Sequence, residues 1–145
     1  MSAEENKAVV RRYYEQIWNE GDLAVIEECF APEVHVQGQY VGWNGLRDGL
    51  SQWLTAFPEL RHHVDHLVAE GDIVAANIHF TGTHRGVFDS GGLGPWMPTG
   101  RSVNVREMNF FRLAEGKVVE FWVMWDKIIF AQQLGMDLPS AGTTT

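Results

Sequence analysis

The sequence predicts an α+β fold: a curved antiparallel sheet wrapped around three N-terminal helices, forming a cone with an apolar pocket. Three observations lead there. Apolar residues recur at helical spacing up to Phe57, whereas almost everything after Pro58 reads as strand. Helices grouped ahead of strands, rather than alternating with them, describe α+β. The aromatic fraction is 12%, with six Trp. A twisted sheet so rich in large rigid side chains curls around its helices and leaves a lined space between the two.

Each element follows in order. Ser2 and Glu5 form a capping box. Val10, Tyr13, Tyr14 and Ile17 then carry a first helix to about Trp18. Asn19-Glu20-Gly21 ends it. Asp22 caps a shorter helix bearing Leu23, Ile26 and Phe30, which Pro32 stops. A short strand, Val34 to Gln37, precedes a turn. Leu46, Leu50, Trp53, Leu54 and Phe57 stripe a third helix from about Gly45, for which Asn44 is the expected N-cap. Leu60 to Ala69 and Ile73 to His84 are strands joined by Glu70-Gly71-Asp72. Gly86 to Gly100 is a long Gly- and Pro-bearing loop carrying Phe88, Leu93, Trp96 and Met97, a form suited to a lid. Arg101 to Leu113 and Lys117 to Asp126 make a last hairpin, with a type I turn and Gly bulge expected at Ala-Glu-Gly. A helical turn from Lys127 to Leu134 closes the domain, residues 1–138, and a polar tail, residues 139–145, is expected to be disordered.

Composition limits the function. The chain has 145 residues, the size of one domain, and no internal repeat. Its net charge of -8, with basic residues scattered, argues against nucleic acid or an anionic membrane as partner. Cys29 is the only cysteine and lies in an apolar helical pattern, so it reads as a core residue. The N-terminus lacks an apolar signal core and no apolar run approaches ~20 residues. The expectation is a cytoplasmic protein.

Several segments carry a family resemblance. They are Tyr13-Tyr14 with Trp18-Asn19-Glu20-Gly21-Asp22, then Phe57-Pro58-Glu59-Leu60, then Val68-Ala69-Glu70-Gly71-Asp72. Thr81-Gly82-Thr83-His84-Arg85-Gly86, Pro98-Thr99-Gly100-Arg101 and Trp122 followed by Asp126 continue the series. In this order they resemble the SnoaL-like polyketide cyclases, often labelled ester cyclases, which have the nuclear-transport-factor-two-like cone. The resemblance implies a cofactor-free intramolecular aldol ring closure on a hydrophobic, carbonyl-bearing small molecule. It also implies that Asp126, in the Trp-x-x-x-Asp pattern, is the acid/base residue. The cyclases pair that aspartate with a histidine on a neighbouring strand, and Arg101 to Leu113 contains none. His84, in the stretch matching Gly-Thr-His-x-Gly, is the expected substitute.

Strand parity sorts the last hairpin. Met108, Phe110 and Arg112 share a face with Glu120, Trp122, Met124 and Asp126, while Glu107, Asn109 and Phe111 share the other with Phe121, Val123 and Trp125. Both faces are apolar enough to be covered, one by the helices and pocket and the other by a second copy in a homodimer. The resemblance turns the Asp126 face inward, which makes Met108 and Trp122 pocket residues. Tyr14, Trp18 and Trp53 on the helices, and His35 and His79 on strands, complete the expected ligand-binding set. No metal is expected. His62 and His63 point to opposite faces, and His62 and His66 stand about 13 Å apart along a strand. Two alternatives use the same pocket: a non-catalytic ligand-binding domain, and an epoxide-hydrolase-like scheme combining Asp126 with Arg106 or Arg112.

Overall fold

The computed structural model describes residues 2–138, and the expected tail lies outside them. The capping box at Ser2 is formed in full, Glu5 N–H to Ser2 Oγ and Ser2 N–H to Glu5 Oε1, and it starts α1, Ala3–Arg12. The helix does not run on as α. Tyr13–Asn19 is a π-helix, whose wider turn brings positions i, i+1, i+4 and i+5 to one side. Tyr13, Tyr14, Ile17 and Trp18 are all buried there. A 3-10 turn, Leu23–Val25, leads into α2, Ile26–Cys29, which is only four residues long. The chain passes into β1, Phe30–Val36, before Pro32 rather than at it.

Gln37 and Gly38 have φ of 54° and 79°, a tight turn into β2, Gln39–Tyr40. Helix α3 spans Gly42–Ala56, one turn earlier than the periodicity suggests. Its N-cap is therefore Val41, and the expected cap Asn44 sits inside the first turn, accepting from Arg47.

The strands β3 Arg61–Glu70, β4 Ile73–Thr83, β7 Ser102–Ala114 and β8 Lys117–Trp125 fall where patterning predicts. Within the expected lid loop the chain makes a small hairpin, β5 Phe88–Ser90 and β6 Leu93–Trp96. Phe88 is fully buried, so the segment is fastened by its apolar side chains. The six-stranded sheet has the order β2-β1-β8-β7-β4-β3, antiparallel throughout except for the parallel β1–β8 pair. The turn between β7 and β8 has two residues, Glu115 and Gly116, both with positive φ, a type I′ turn rather than type I with a bulge. The bulge falls instead between Arg112 and Leu113, so that Arg112 faces Glu120, Phe110 faces Trp122 and Met108 faces Met124. The parity grouping expected from sequence therefore holds from Met108 to Arg112 and from Glu120 to Trp125, whereas nearer the turn Leu113 pairs with Val118 rather than with Lys117, and Val118 is buried instead of sharing the Glu120 face.

Which face points inward is reversed. Glu107, Asn109, Phe111, Phe121, Val123 and Trp125 face the helices, while Met108, Phe110, Trp122 and Met124 lie on the outer face at 55%, 55%, 37% and 75% exposure. Helix α4, Lys127–Leu134, follows the sheet and is held to β7 by Gln133, whose side chain bonds both Asn104 N–H and Asn104 C=O. No helix among the described residues is long and apolar enough to cross a membrane.

Candidate functional site

Between the helices and the inner sheet face lies a cavity of about 240 Å³. Tyr13 and Trp18 of the π-helix, Leu46, Leu50 and Trp53 of α3, and Phe80, Phe121 and Trp125 of the sheet make its walls predominantly apolar. Two ionisable residues besides Tyr13 enter that lining, His62 from β3 and Glu107 from β7. No arginine or lysine lines it among the described residues.

Glu107 is placed by strand alternation. Val103, Val105, Asn109, Phe111 and Leu113 share its face and are buried, so a carboxyl at position 107 must enter the same apolar layer. Burial pushes its pKa up to about 7 from an ordinary 4.5, against the hydrogen bond from Asn109 Nδ2 to Oε2 at 2.8 Å. The same Asn109 Nδ2 stands 2.6 Å from the Tyr14 hydroxyl. Burial, with the Glu107 charge nearby, also raises both tyrosine hydroxyls far above their usual range.

His62 is 5% exposed and its ring is stacked on Trp18, with centroids 4.4 Å apart. Burial lowers its pKa to about 3, so the ring is neutral at any physiological pH. Asn19 fixes the backbone at this point, donating to His62 C=O at 2.9 Å and accepting from His62 N–H at 2.6 Å. The last residue of the π-helix is thereby tied to the strand that carries the histidine. Nδ1 of His62 has no partner among the described residues.

The residues expected from sequence divide into three groups. Trp18 and Trp53 line the cavity. Tyr14 is fully buried behind the wall and bonds Asn109, so it is not placed to touch a ligand carbonyl. The others lie elsewhere. Met108 and Trp122 are on the outer face because the sheet presents its other side to the helices. His79 is also on that side, paired with Asp65 at 2.8 Å and stacked on His63. His35 packs edge-on to Tyr40, while its neighbour Val36 enters the cavity. His84 is wholly buried outside the cavity. Its ring stacks on Phe57, and Nδ1 accepts from Thr99 N–H at 3.2 Å, pinning the loop before β7. Asp126 is the N-cap of α4, its Oδ1 accepting from Ile129 N–H at 3.0 Å, and it is exposed. It borders an open depression that shares Val123 and Trp125 with the cavity wall. Arg112 pairs with Glu120 at 3.2 Å, and neither it nor Arg106 lines the cavity, so the epoxide-hydrolase-like scheme lacks its arginine.

Sequence reasoning placed Glu107 on the outer face because the family resemblance turned the Asp126 face inward, and strand parity puts Glu107 on the opposite one. The available signal was local: Val103, Val105, Phe111 and Leu113 alternate with polar residues, and Glu107 falls in their phase.

The family description of SnoaL-like polyketide cyclases matches residues 8–134. Among solved structures, AclR of Streptomyces galilaeus, assigned as a hydroxylase, is similar at 31% identity and TM-score 0.78, over 95% of this chain and 100% of that one. A protein of Jannaschia sp. CCS1 assigned as a SnoaL-like polyketide cyclase is 25% identical, with TM-score 0.79 over 94% and 95%. IdmH of Streptomyces antibioticus, assigned as a polyketide cyclase, is 26% identical, with TM-score 0.75 over 90% and 99%. No curated protein matches the chain.

Proposed function

This chain belongs to the SnoaL-like polyketide cyclase family, and we propose that it is a cofactor-free enzyme acting in the cytoplasm. In this reading it moves a proton next to a carbonyl of a hydrophobic small molecule, with Glu107 as base and acid. The observation that carries the proposal is the Glu107 carboxyl, held in an aromatic cavity with a pKa near 7. A base poised near the working pH combines a useful fraction ionised with a useful affinity for the proton.

The chemistry closes without a co-reactant. Ionised Glu107 takes a proton from the carbon beside a carbonyl, and the C–H electron pair becomes an enolate. The enolate carbon attacks a second carbonyl of the same molecule, forming a C–C bond and an alkoxide. Protonated Glu107 returns the proton to that alkoxide, and the product is an isomer of the substrate. The neutral His62 ring is suited to donate an N–H to the enolate oxygen, since at a pKa of about 3 it does not compete for the proton. Trp18, Trp53 and Trp125 exclude water and offer flat apolar walls.

Asp126, to which the family resemblance points, is the competing base, supported by the walls its open depression shares with the cavity. The two are separated by proton exchange on a bicyclic ketone such as 2-tetralone in D2O, followed by proton NMR. Wild type is expected to accelerate α-deuteration, Glu107→Gln to lose ~10²-fold or more, and Asp126→Asn to match wild type. Loss in Asp126→Asn with Glu107→Gln unaffected contradicts the proposal. Saturable binding of the ketone without exchange supports the non-catalytic binding domain instead.

We further propose that the outer face pairs with a second copy. Val68, Met108, Phe110, Trp122 and Met124 form a continuous exposed apolar surface there, and an acidic protein of ordinary composition gains by covering it.

A further inference from the structure

Asn109 is buried in the middle of β7, and one atom of it serves two partners. Nδ2 stands 2.6 Å from the Tyr14 hydroxyl oxygen and 2.8 Å from Glu107 Oε2. Its other polar atom, Oδ1, is buried with no partner among the described residues. The two ends of an amide have nearly the same shape, so hydrogen-bond partners decide which end points where. With Glu107 ionised, both contacts call for a donor, and the two N–H bonds of Nδ2 supply them. With Glu107 protonated on Oε2, that O–H is a donor, the Tyr14 hydroxyl can donate as readily as accept, and an acceptor with two lone pairs matches both at the same position. Turning the amide by about 180° puts Oδ1 there. Because Oδ1 bonds to nothing in the present orientation, turning breaks no other bond, and it leaves the NH2 group where Oδ1 now lies, without an acceptor among the described residues.

We propose that Asn109 is a positioning residue whose amide turns with the proton on Glu107, offering Nδ2 to the carboxylate and Oδ1 to the carboxylic acid. The contacts at Glu107 and Tyr14 are then matched in either protonation state, and the carboxyl keeps its place while it exchanges a proton. Tyr14 completes the arrangement from behind the wall without touching a ligand. The proposal rests on the reading of Glu107 as the titrating group of the cavity.

Other groups facing Glu107 do not change charge alongside it. Tyr13 and Tyr14 on the π-helix are held protonated by burial, and His62 on β3 is held neutral. Ile78 on β4 and Trp125 on β8, its cross-strand neighbours, carry no charge, and α3 presents no charged residue to the cavity.

Side-chain NMR of the full chain between pH 5 and 9 tests this. The Asn109 NH2 protons are expected to move upfield as pH falls, losing both acceptors, with the midpoint of the Glu107 carboxyl carbon, and Glu107→Gln is expected to abolish the movement. In Asn109→Leu the Glu107 midpoint is expected to rise, because the bond lost to the charged form is the stronger one. Asn109 resonances that stay fixed while Glu107 titrates, a Glu107 silent across this range, or an unmoved midpoint in Asn109→Leu each overturn the proposal. If ketone exchange is absent but the amide still follows Glu107, the catalytic reading falls and the coupling stands.

Discussion

At the scale of single residues, the two ionisable groups of the cavity act in opposite directions on stability. The folded pKa of Glu107, about 7, lies above its ordinary 4.5, so the folded protein holds a proton that the unfolded chain releases. That stabilisation is complete below about pH 4.5 and is lost as pH rises through 7. His62 runs the other way. Its folded value of about 3 lies below 6.5, so its contribution is complete above pH 6.5 and is lost as pH falls through 3. Between about 4.5 and 6.5 the two slopes oppose each other. Denaturant titrations of Glu107→Gln are therefore expected to show stability rising with pH across this window. At pH 8 the variant is expected to exceed wild type by on the order of 2 kcal/mol, after allowing for the partial exposure of the carboxyl. A Glu107→Gln curve parallel to wild type from pH 4 to 8 contradicts the assignment. Neither pKa is legible in a sequence, since each depends on what the helices place over the strand.

Elements differ in how far sequence determined them. The capping box and the β3–β4 hairpin are local and were read directly. The π-helix was not, because Tyr13, Tyr14, Ile17 and Trp18 satisfy a helical apolar stripe whether the turn is α or π. The last turn matters for the site, since Asn19 holds the His62 backbone through two bonds. Asn19→Ala leaves buried partners unmatched and is expected to cost about 1–3 kcal/mol in thermal or chemical unfolding. The start of α4 gives a contrasting case. Asp126→Ala removes the bond to Ile129 N–H and is expected to cost about 1 kcal/mol, whereas Asp126→Asn, an equally good cap, should leave stability unchanged. A large loss of stability in Asp126→Asn means the carboxylate does more than cap.

At the scale of the whole molecule, the order of helices and strands fixed the architecture, and alternation fixed which residues share a face. What alternation does not supply is the choice between two faces that are both apolar. The family resemblance favoured the face with Met108, Phe110, Trp122 and Met124 as the inner one, and the fold instead turns inward the one that carries Glu107 and Asn109. The polar pair is what makes the inner face a site rather than plain packing. On the proposed pairing of the outer apolar face, Phe110→Lys with Met124→Lys is expected to shift the sedimentation mass from dimer to monomer without altering the cavity. A wild-type chain that sediments as a monomer at high micromolar concentration contradicts the pairing.

The central claim is that the cavity holds a carboxyl poised at neutrality, and the most direct measurement is a carbon-13 titration of the Glu107 side chain in the wild-type chain. The predicted midpoint is about 7. A midpoint near the ordinary 4.5 would contradict it, because a carboxylate that weakly basic is poorly matched to taking a proton from carbon at neutral pH.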